Sequence, residues 1–351
     1  MTPVEPDPAS EPELAASPPS DVQPQRPFVK RAQREGLLAS ASEEEIVEEE
    51  ATHRVLPRVN PLTTRDLEVE PPPRQRYRTP LRRSFAELIR ARELLFTFVE
   101  RDLKVRYKQA KLGAMWAILQ PLMLMVVFTV VFGRIAKIGS EGLPYPIFAY
   151  TALVPWGLFS GAVGYGTNSI IGASGTIRKI YCPREIFPLT SVLSAGFDFL
   201  VSSVILFSML MVYTFTTNQV PGPTITWVAF PLLLLLTLVY ALTFTLFASA
   251  ATVYYRDVRY GMPMLLTILM YATPVAYPID KAVSALPEGL QNAYPYLNPL
   301  APIMDGFRRV LAHGEWPAWE PLGSAAAVGL VALFLVYRWY KRIDGTFADV
   351  I

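Results

Sequence analysis

From Ser84 to Lys104 the chain mixes apolar and polar positions with a helical period. At about 100° per residue, Phe85, Leu88, Ile89, Phe96, Val99 and Leu103 share one face, while Glu87, Arg90, Arg101 and Lys104 lie away from it. This predicts an amphipathic helix over 84–104. The basic run Arg101 to Lys108 directly adjoins an uncharged apolar stretch, which favours a helix lying in a membrane interface over one packed on a soluble core. Beyond it the alternation gives way to long apolar runs. Six are apolar enough to cross a bilayer, at about 113–133, 147–171, 188–214, 227–253, 260–279 and 321–340. The second is rich in Gly, Ser and Thr, which suits close helix packing inside a bundle. Asp280 to Trp319 is too polar to cross, yet holds two short apolar pieces, Val283 to Tyr294 and Leu300 to Leu311, separated by prolines. The expected fold is an all-α integral membrane protein with six transmembrane helices, an N-terminal interfacial helix and two short external helices before the last span.

Composition changes the picture at one end. Residues 1–80 carry 14 of the 32 prolines, 15 of the 30 acidic groups and only Phe28 and Tyr77 as aromatics. Such a segment cannot build a core, so 1–80 is predicted to be a disordered Pro/Glu-rich cytosolic tail ahead of a membrane domain at 81–351. A docking or regulatory segment is the alternative. Residues 81–351 hold 22 Lys/Arg against 15 Asp/Glu. One cysteine, Cys182, and two histidines, His53 and His313, exclude an intramolecular disulfide and a zinc cluster. The first 30 residues have no apolar run behind a positive start, so the N-terminus is expected in the cytosol. With that orientation the internal flanks carry thirteen Lys/Arg and the external stretches five, Arg134, Lys137, Lys281, Arg308 and Arg309. Both termini are therefore predicted to be cytosolic.

Candidate chemistry is sparse. A phosphate-cradling loop needs Gly-x4-Gly-Lys-Ser/Thr, and the nearest glycine-rich stretch, Gly172 to Lys179, has no such ending. No nucleophile elbow, His-Glu-x-x-His helix or paired intramembrane carboxylates appear either. Asp198 is the one ionisable side chain deep in a predicted span, either a structural hydrogen-bond partner or a gating group. Two predicted internal loops, 177–185 and 254–260, mix charge with tyrosine, which suits docking on another protein as well as a plain membrane flank.

The run Arg101-Asp-Leu-Lys-Val-Arg-Tyr-Lys-Gln109 followed by Leu112-Gly-Ala-Met-Trp-Ala-Ile-Leu-Gln-Pro-Leu122 resembles the opening of an ABC-2 type permease of the polysaccharide exporter group. The resemblance continues through Val131-Phe-Gly133, Val154-Pro-Trp156, Ile180-Tyr-Cys-Pro-Arg184, Tyr255-Arg-Asp-Val258, Thr273-Pro-Val-Ala-Tyr-Pro278, Leu297-Asn-Pro299, Gly306-Phe-Arg308 and Thr346-Phe-Ala-Asp349, in family order over 81–351. Cys182 stands where relatives commonly have Phe, and Gly175-Thr176 where an apolar residue is more usual. Relatives of this group export O-antigen, capsular polysaccharide and teichoic acid. The resemblance implies a homodimeric permease in a bacterial cytoplasmic (inner) membrane, not itself an enzyme. It would work with two copies of a separate ATP-binding subunit that holds ATP and Mg, on a lipid-linked glycan and among membrane lipids, with no nucleic-acid partner and no cofactor in this chain.

On that frame Arg101, Lys104, Arg106 and Lys108 are candidates to meet an anionic lipid head group, with positive-inside orientation as their plainer role. Trp116, Phe128, Phe132, Tyr271 and Tyr277 are candidate conduit surfaces for sugar rings, unless they pack against helices. Arg178, Lys179, Tyr181, Pro183, Arg184, Glu185, Arg256 and Asp257 are candidates for coupling to the ATP-binding subunit. Other readings are a permease for a small lipid or drug and a membrane-embedded glycosyl- or acyltransferase. Deleting residues 1–75 is expected to leave membrane insertion and purified yield within about twofold of the intact chain, because a segment that buries nothing adds no stability; quantitative blotting of membrane fractions checks this.

Overall fold

The computed structural model describes residues 87–108, 115–177, 179, 182–217 and 219–347. The tail expected at 1–80 lies outside them, as do Arg178 and Tyr181. A helical turn at 87–90 precedes α1, Arg92–Lys108. This helix runs past its predicted end at 104, so the basic run belongs to it. Glu93 in its first turn and Arg106 and Lys108 in its last complement the helix dipole. Its apolar side is short: Leu95 and Phe98 are buried, with the Phe98 ring 5.5 Å from that of Phe187.

Next come α2, Met115–Phe128, which continues as a π-helical stretch Thr129–Ile135, then α3, Tyr145–Thr167, and α4, Ile186–Thr217. Helix α5, Phe230–Tyr254, follows a 3-10 turn, Ile225–Ala229. After α6, Val258–Ala272, and α7, Leu300–Arg308, the chain closes with α8, Trp319–Ile343. Among the described residues, five helices are long and apolar enough to cross a membrane: Met115–Ile135, Tyr145–Thr167, Ile186–Thr217, Ile225–Tyr254 and Trp319–Thr346. Each lies over a predicted span.

Helix α3 is the centre of the bundle: 78% of its apolar stretch is buried, against 11% for the first span and 17% for the last. Its small residues explain this. A Cβ on Gly166 would sit 2.1 Å from Thr245 Cγ2 of α5, so only glycine lets these two backbones approach so closely. The buried hydroxyls of Thr151, Thr167 and Thr237 donate to carbonyls four residues back at 2.7, 2.7 and 2.9 Å, which removes the cost of their polarity.

The fifth predicted span, 260–279, is not one helix. Helix α6 ends at Ala272, and Thr273-Pro-Val-Ala-Tyr-Pro278 continues as buried irregular backbone. A proline at 274 removes a donor and disfavours helix at Thr273. The break leaves carbonyls that the helix would have satisfied, and each buried one left unpaired would cost about 1–3 kcal/mol. They are met by side chains. The Tyr271 carbonyl accepts from the Tyr277 hydroxyl at 2.5 Å, and that of Ala272 from Tyr294 at 2.8 Å and Asn298 at 3.0 Å. The Ala276 carbonyl accepts from the Tyr145 hydroxyl at 2.5 Å.

Arg308 completes the set. Its guanidinium donates to the carbonyls of Val275 at 2.5 Å, Tyr277 at 3.3 Å and Phe148 at 3.3 Å, and lies 3.9 Å over the Phe148 ring. Burial pulls its pKa down to about 10, opposed by Asp305 and Glu141, so it remains charged at neutral pH. This arginine, counted by sequence as an external charge, is a fully buried clamp.

The region before the last span also differs from expectation. Four short helical pieces stand where two were predicted: Ile279–Ser284, Glu288–Gln291, Tyr294–Leu297 and α7. Pro287 interrupts the first apolar piece, since it lacks the N–H a continuing helix needs, and Pro295 stands in the first turn of the helix that follows. The second piece is α7, and all nine of its residues are buried.

Gly166→Ala is expected to destabilise the protein by about 1–3 kcal/mol through overpacking against Thr245. Thr245→Ser, which deletes Cγ2, should recover most of that loss in the double variant. Thermal melting of the detergent-solubilised chain measures both.

Candidate functional site

A polar groove lies between α1, α2, α3 and α4. Its volume is about 440 Å³, and its walls include Trp116, Gln120, Trp156, Tyr165 and Ser202. At its floor Asp198 of α4 accepts from Arg106 at 2.8 Å and from the Tyr107 hydroxyl, both in the last turn of α1. The Arg106 guanidinium also lies 3.7 Å over the Tyr165 ring. The acid that stands alone in the sequence is therefore paired, which offsets the cost of placing it within a span. The partner sits 92 residues away, so the contact ties α1 to α4.

The other head-group candidates are less concentrated. Arg101 is 2.9 Å from Asp102 and Lys104 is 2.5 Å from Glu100, both at the surface, where such pairs contribute little. Lys108 is exposed and has no carboxylate neighbour among the described residues.

The aromatic candidates separate into two places. Trp116 is half-exposed and lines the groove, joined there by Trp156 and Tyr165. Phe128 is 3% exposed and packs edge-on against Phe132 with centroids 5.3 Å apart, so it fills the core of the chain and presents no free face. Tyr271 is half-exposed on α6. Tyr277 lines a second cavity of about 570 Å³ with Tyr294, Lys137 and Lys281, where the end of the first span meets the helix break. Sequence reasoning missed Trp156, Tyr165 and Gln120 as groove residues. Trp156 was visible only as part of a motif, and Tyr165 lies in a stretch whose composition signals packing.

The coupling candidates divide as well. Lys179 is exposed, as are Arg256 and Asp257 in the turn between α5 and α6, beside Tyr255 and Tyr260, which are 72% and 71% exposed. Pro183 is half-buried. Arg184 and Glu185 turn inward onto α8: Arg184 donates to the Asp344 carbonyl, and Glu185 is buried against Lys341 and accepts from the Tyr337 hydroxyl at 3.2 Å. Among the described residues, no group of three or more Asp, Glu, His or Cys side chains is placed to hold a metal ion.

Comparison with known proteins places the sequence in a family of membrane transporters. The model of the ABC-2 type transporter family matches residues 93–312. The chain is 30% identical over 268 residues to the O-antigen export system permease protein RfbA of Myxococcus xanthus, covering 76% of this chain and 98% of that protein. A protein of the same name from Klebsiella pneumoniae is 25% identical over 260 residues, 74% of this chain and 95% of its own. The polysialic acid transport protein KpsM of Escherichia coli is 22% identical over 247 residues, 69% and 90% of the two chains. By the family match and by its likeness to a relative across nearly that relative's full length, this multi-pass membrane protein belongs to the ABC-2 type transporter family.

Proposed function

We propose that the chain is the membrane-spanning permease of an ATP-driven exporter that moves a lipid-linked polysaccharide across a bacterial cytoplasmic membrane. As a member of its family it is a transporter component and not an enzyme. The observation that carries the reading is its similarity to O-antigen and polysialic acid permeases over 90% or more of their lengths. Two copies of the chain would pair and assemble with two copies of an ATP-binding subunit, which holds ATP and Mg. The chain divides into a cytosolic tail at 1–80 and the membrane domain at 81–351.

Six crossings with both termini in the cytosol fit best. Helix α6 has 15 residues, a rise of about 22 Å, which is short of a hydrocarbon core of about 30 Å. Its irregular continuation supplies the remaining length, and irregular backbone is tolerated at membrane depth where its polar groups are satisfied, as they are at 271–277.

In this reading the groove at the end of α1 receives the anionic head group from the inner leaflet. Arg106 and Lys108 supply charge, with Arg101 and Lys104 attracting at longer range. Trp116, Trp156 and Tyr165 offer flat faces to the first sugar rings. Tyr271 and Tyr277 would meet the chain at the outer end. The exposed Lys179, Arg256 and Asp257 form the surface offered to the ATP-binding subunit, Pro183, Arg184 and Glu185 support it from behind, and Arg178 and Tyr181 are coupling candidates by their sequence position alone.

Two outcomes test this. Single cysteines at Gly139, Gln219 and Glu288, in a chain with Cys182 replaced, should label with an impermeant thiol reagent from outside intact spheroplasts. Labelling only after lysis would refute the six-crossing topology. Asp198→Leu should lower the amount of inserted protein severalfold, because Arg106 loses its counter-charge in a part-buried site. Combining it with Arg106→Met should restore the amount of protein but leave surface polysaccharide at least about tenfold down, as tenfold corresponds to about 1.4 kcal/mol of lost head-group interaction. Full export by the apolar pair would remove the groove from the substrate path.

A further inference from the structure

The loop before α4 and the end of α8 are joined by more than one contact. Arg184 donates to the Asp344 carbonyl and lies 3.4 Å from its carboxylate. Lys341 pairs with Glu185 and lies 3.6 Å from the other Asp344 oxygen. Two bases and two acids thus close a neutral box between segments 160 residues apart. Solvent is largely excluded, since the Glu185 side chain is 7% exposed and that of Lys341 17%.

An aromatic wedge backs the box. Phe347 is fully buried, its ring 5.6 Å from Tyr340 and 6.2 Å from Tyr254, with the Arg184 guanidinium 5.9 Å above it. The hydroxyls of Tyr254 and Thr346 are hydrogen-bonded, which adds the end of α5 to the same cluster. A single surface ion pair slides at almost no cost. Here separation would break two ion pairs at once in a part-buried site, leaving Arg184 and Glu185 without their partners and Lys341 and Asp344 with only each other, which is strongly unfavourable.

We propose that residues 182–185 and 341–347 form one mechanical block, so that a push delivered to the loop by the ATP-binding subunit passes directly into the last span. Arg184, Glu185, Lys341 and Asp344 are then positioning residues: they carry displacement, and the docking contacts belong to their exposed neighbours. The inference rests on the permease reading above.

The test uses the full chain assembled with its ATP-binding subunit in proteoliposomes. Gly345, where a Cβ meets nothing within 4 Å, is replaced by cysteine and tethered to the natural Cys182 with reducible bis-methanethiosulfonate linkers of graded length. Export in the tethered complex should stay within twofold of the same sample after reduction. Loss of export on tethering, restored by reductant, would show that the segments part during transport and overturn the proposal. Failure to tether at any length, with both thiols reactive singly, would overturn it too.

A second measurement reads polysaccharide exported per ATP hydrolysed. Lys341→Glu should lower that ratio at least tenfold while the two subunits still co-purify, Lys341→Arg should preserve it, and the exchange Glu185→Lys with Lys341→Glu should restore it. An unchanged ratio in Lys341→Glu would overturn the block. Absence of co-purification with any ATP-binding subunit by the unmodified chain would instead sink the permease reading, which keeps the two failures distinct.

Discussion

Buried backbone polar groups must find partners, and the structure is organised around the one place where a helix cannot supply them. The segment 273–278 continues helix α6 as irregular backbone that is largely buried in the bundle, where water is scarce. Its carbonyls and those just before it draw in Tyr145 from α3, Tyr294 and Asn298 from the short helices, and Arg308 from α7. Each of these contacts fixes the position of another element. Helix α7 is buried throughout because its arginine must reach the break, and Phe148 lies beneath that arginine because an aromatic face and a carbonyl are what a desolvated guanidinium accepts.

The same constraint governs the charges near the bundle's other end. Arg106 with Asp198, and Arg184 and Lys341 with Glu185 and Asp344, are part-buried pairs between segments distant in sequence. A part-buried pair contributes little net stability once desolvation is counted, but separating it is expensive. Such pairs therefore specify which elements stay together. In this chain they bind α1 to α4, and the loop before α4 to α8.

How much of this was legible in the sequence follows from what each signal measures. Apolar run length locates crossings because the hydrocarbon is a fixed thickness, and five long helices lie where the runs are. Run length does not distinguish helix from buried irregular backbone, so 260–279 reads as one span although Pro274 marks its break. Asp198 announces itself as a buried acid, yet its partner is not visible, since pairing across 92 residues leaves no periodic trace. Arg184 and Glu185 look like docking residues for the same reason: loop composition records charge but not direction. Phe128 reads as a conduit candidate because an apolar helix shows no face preference in its sequence, whereas packing turns it inward. The groove's Trp156 and Tyr165 were hidden by the small residues around them, which are the signal for the close packing that brings those rings together.

Burial is uneven, and that unevenness bears on motion. Helices α3, α4 and α5 interlock through positions such as Gly166 on Thr245, where no displacement occurs without a clash. By contrast α2 leaves Met123, Val126 and Val127 uncovered, and α6 leaves Met264, Leu265 and Ile268. Against lipid tails, which are as apolar as these side chains, shifting such a face costs almost no transfer free energy. The elements held least by the rest of the chain are therefore those that bear Trp116 and Tyr271. In the proposed export cycle, a passage bounded by α2 and α6 widens by moving helices that lipid or a second copy covers, while the α3-centred core keeps the break and the groove in register.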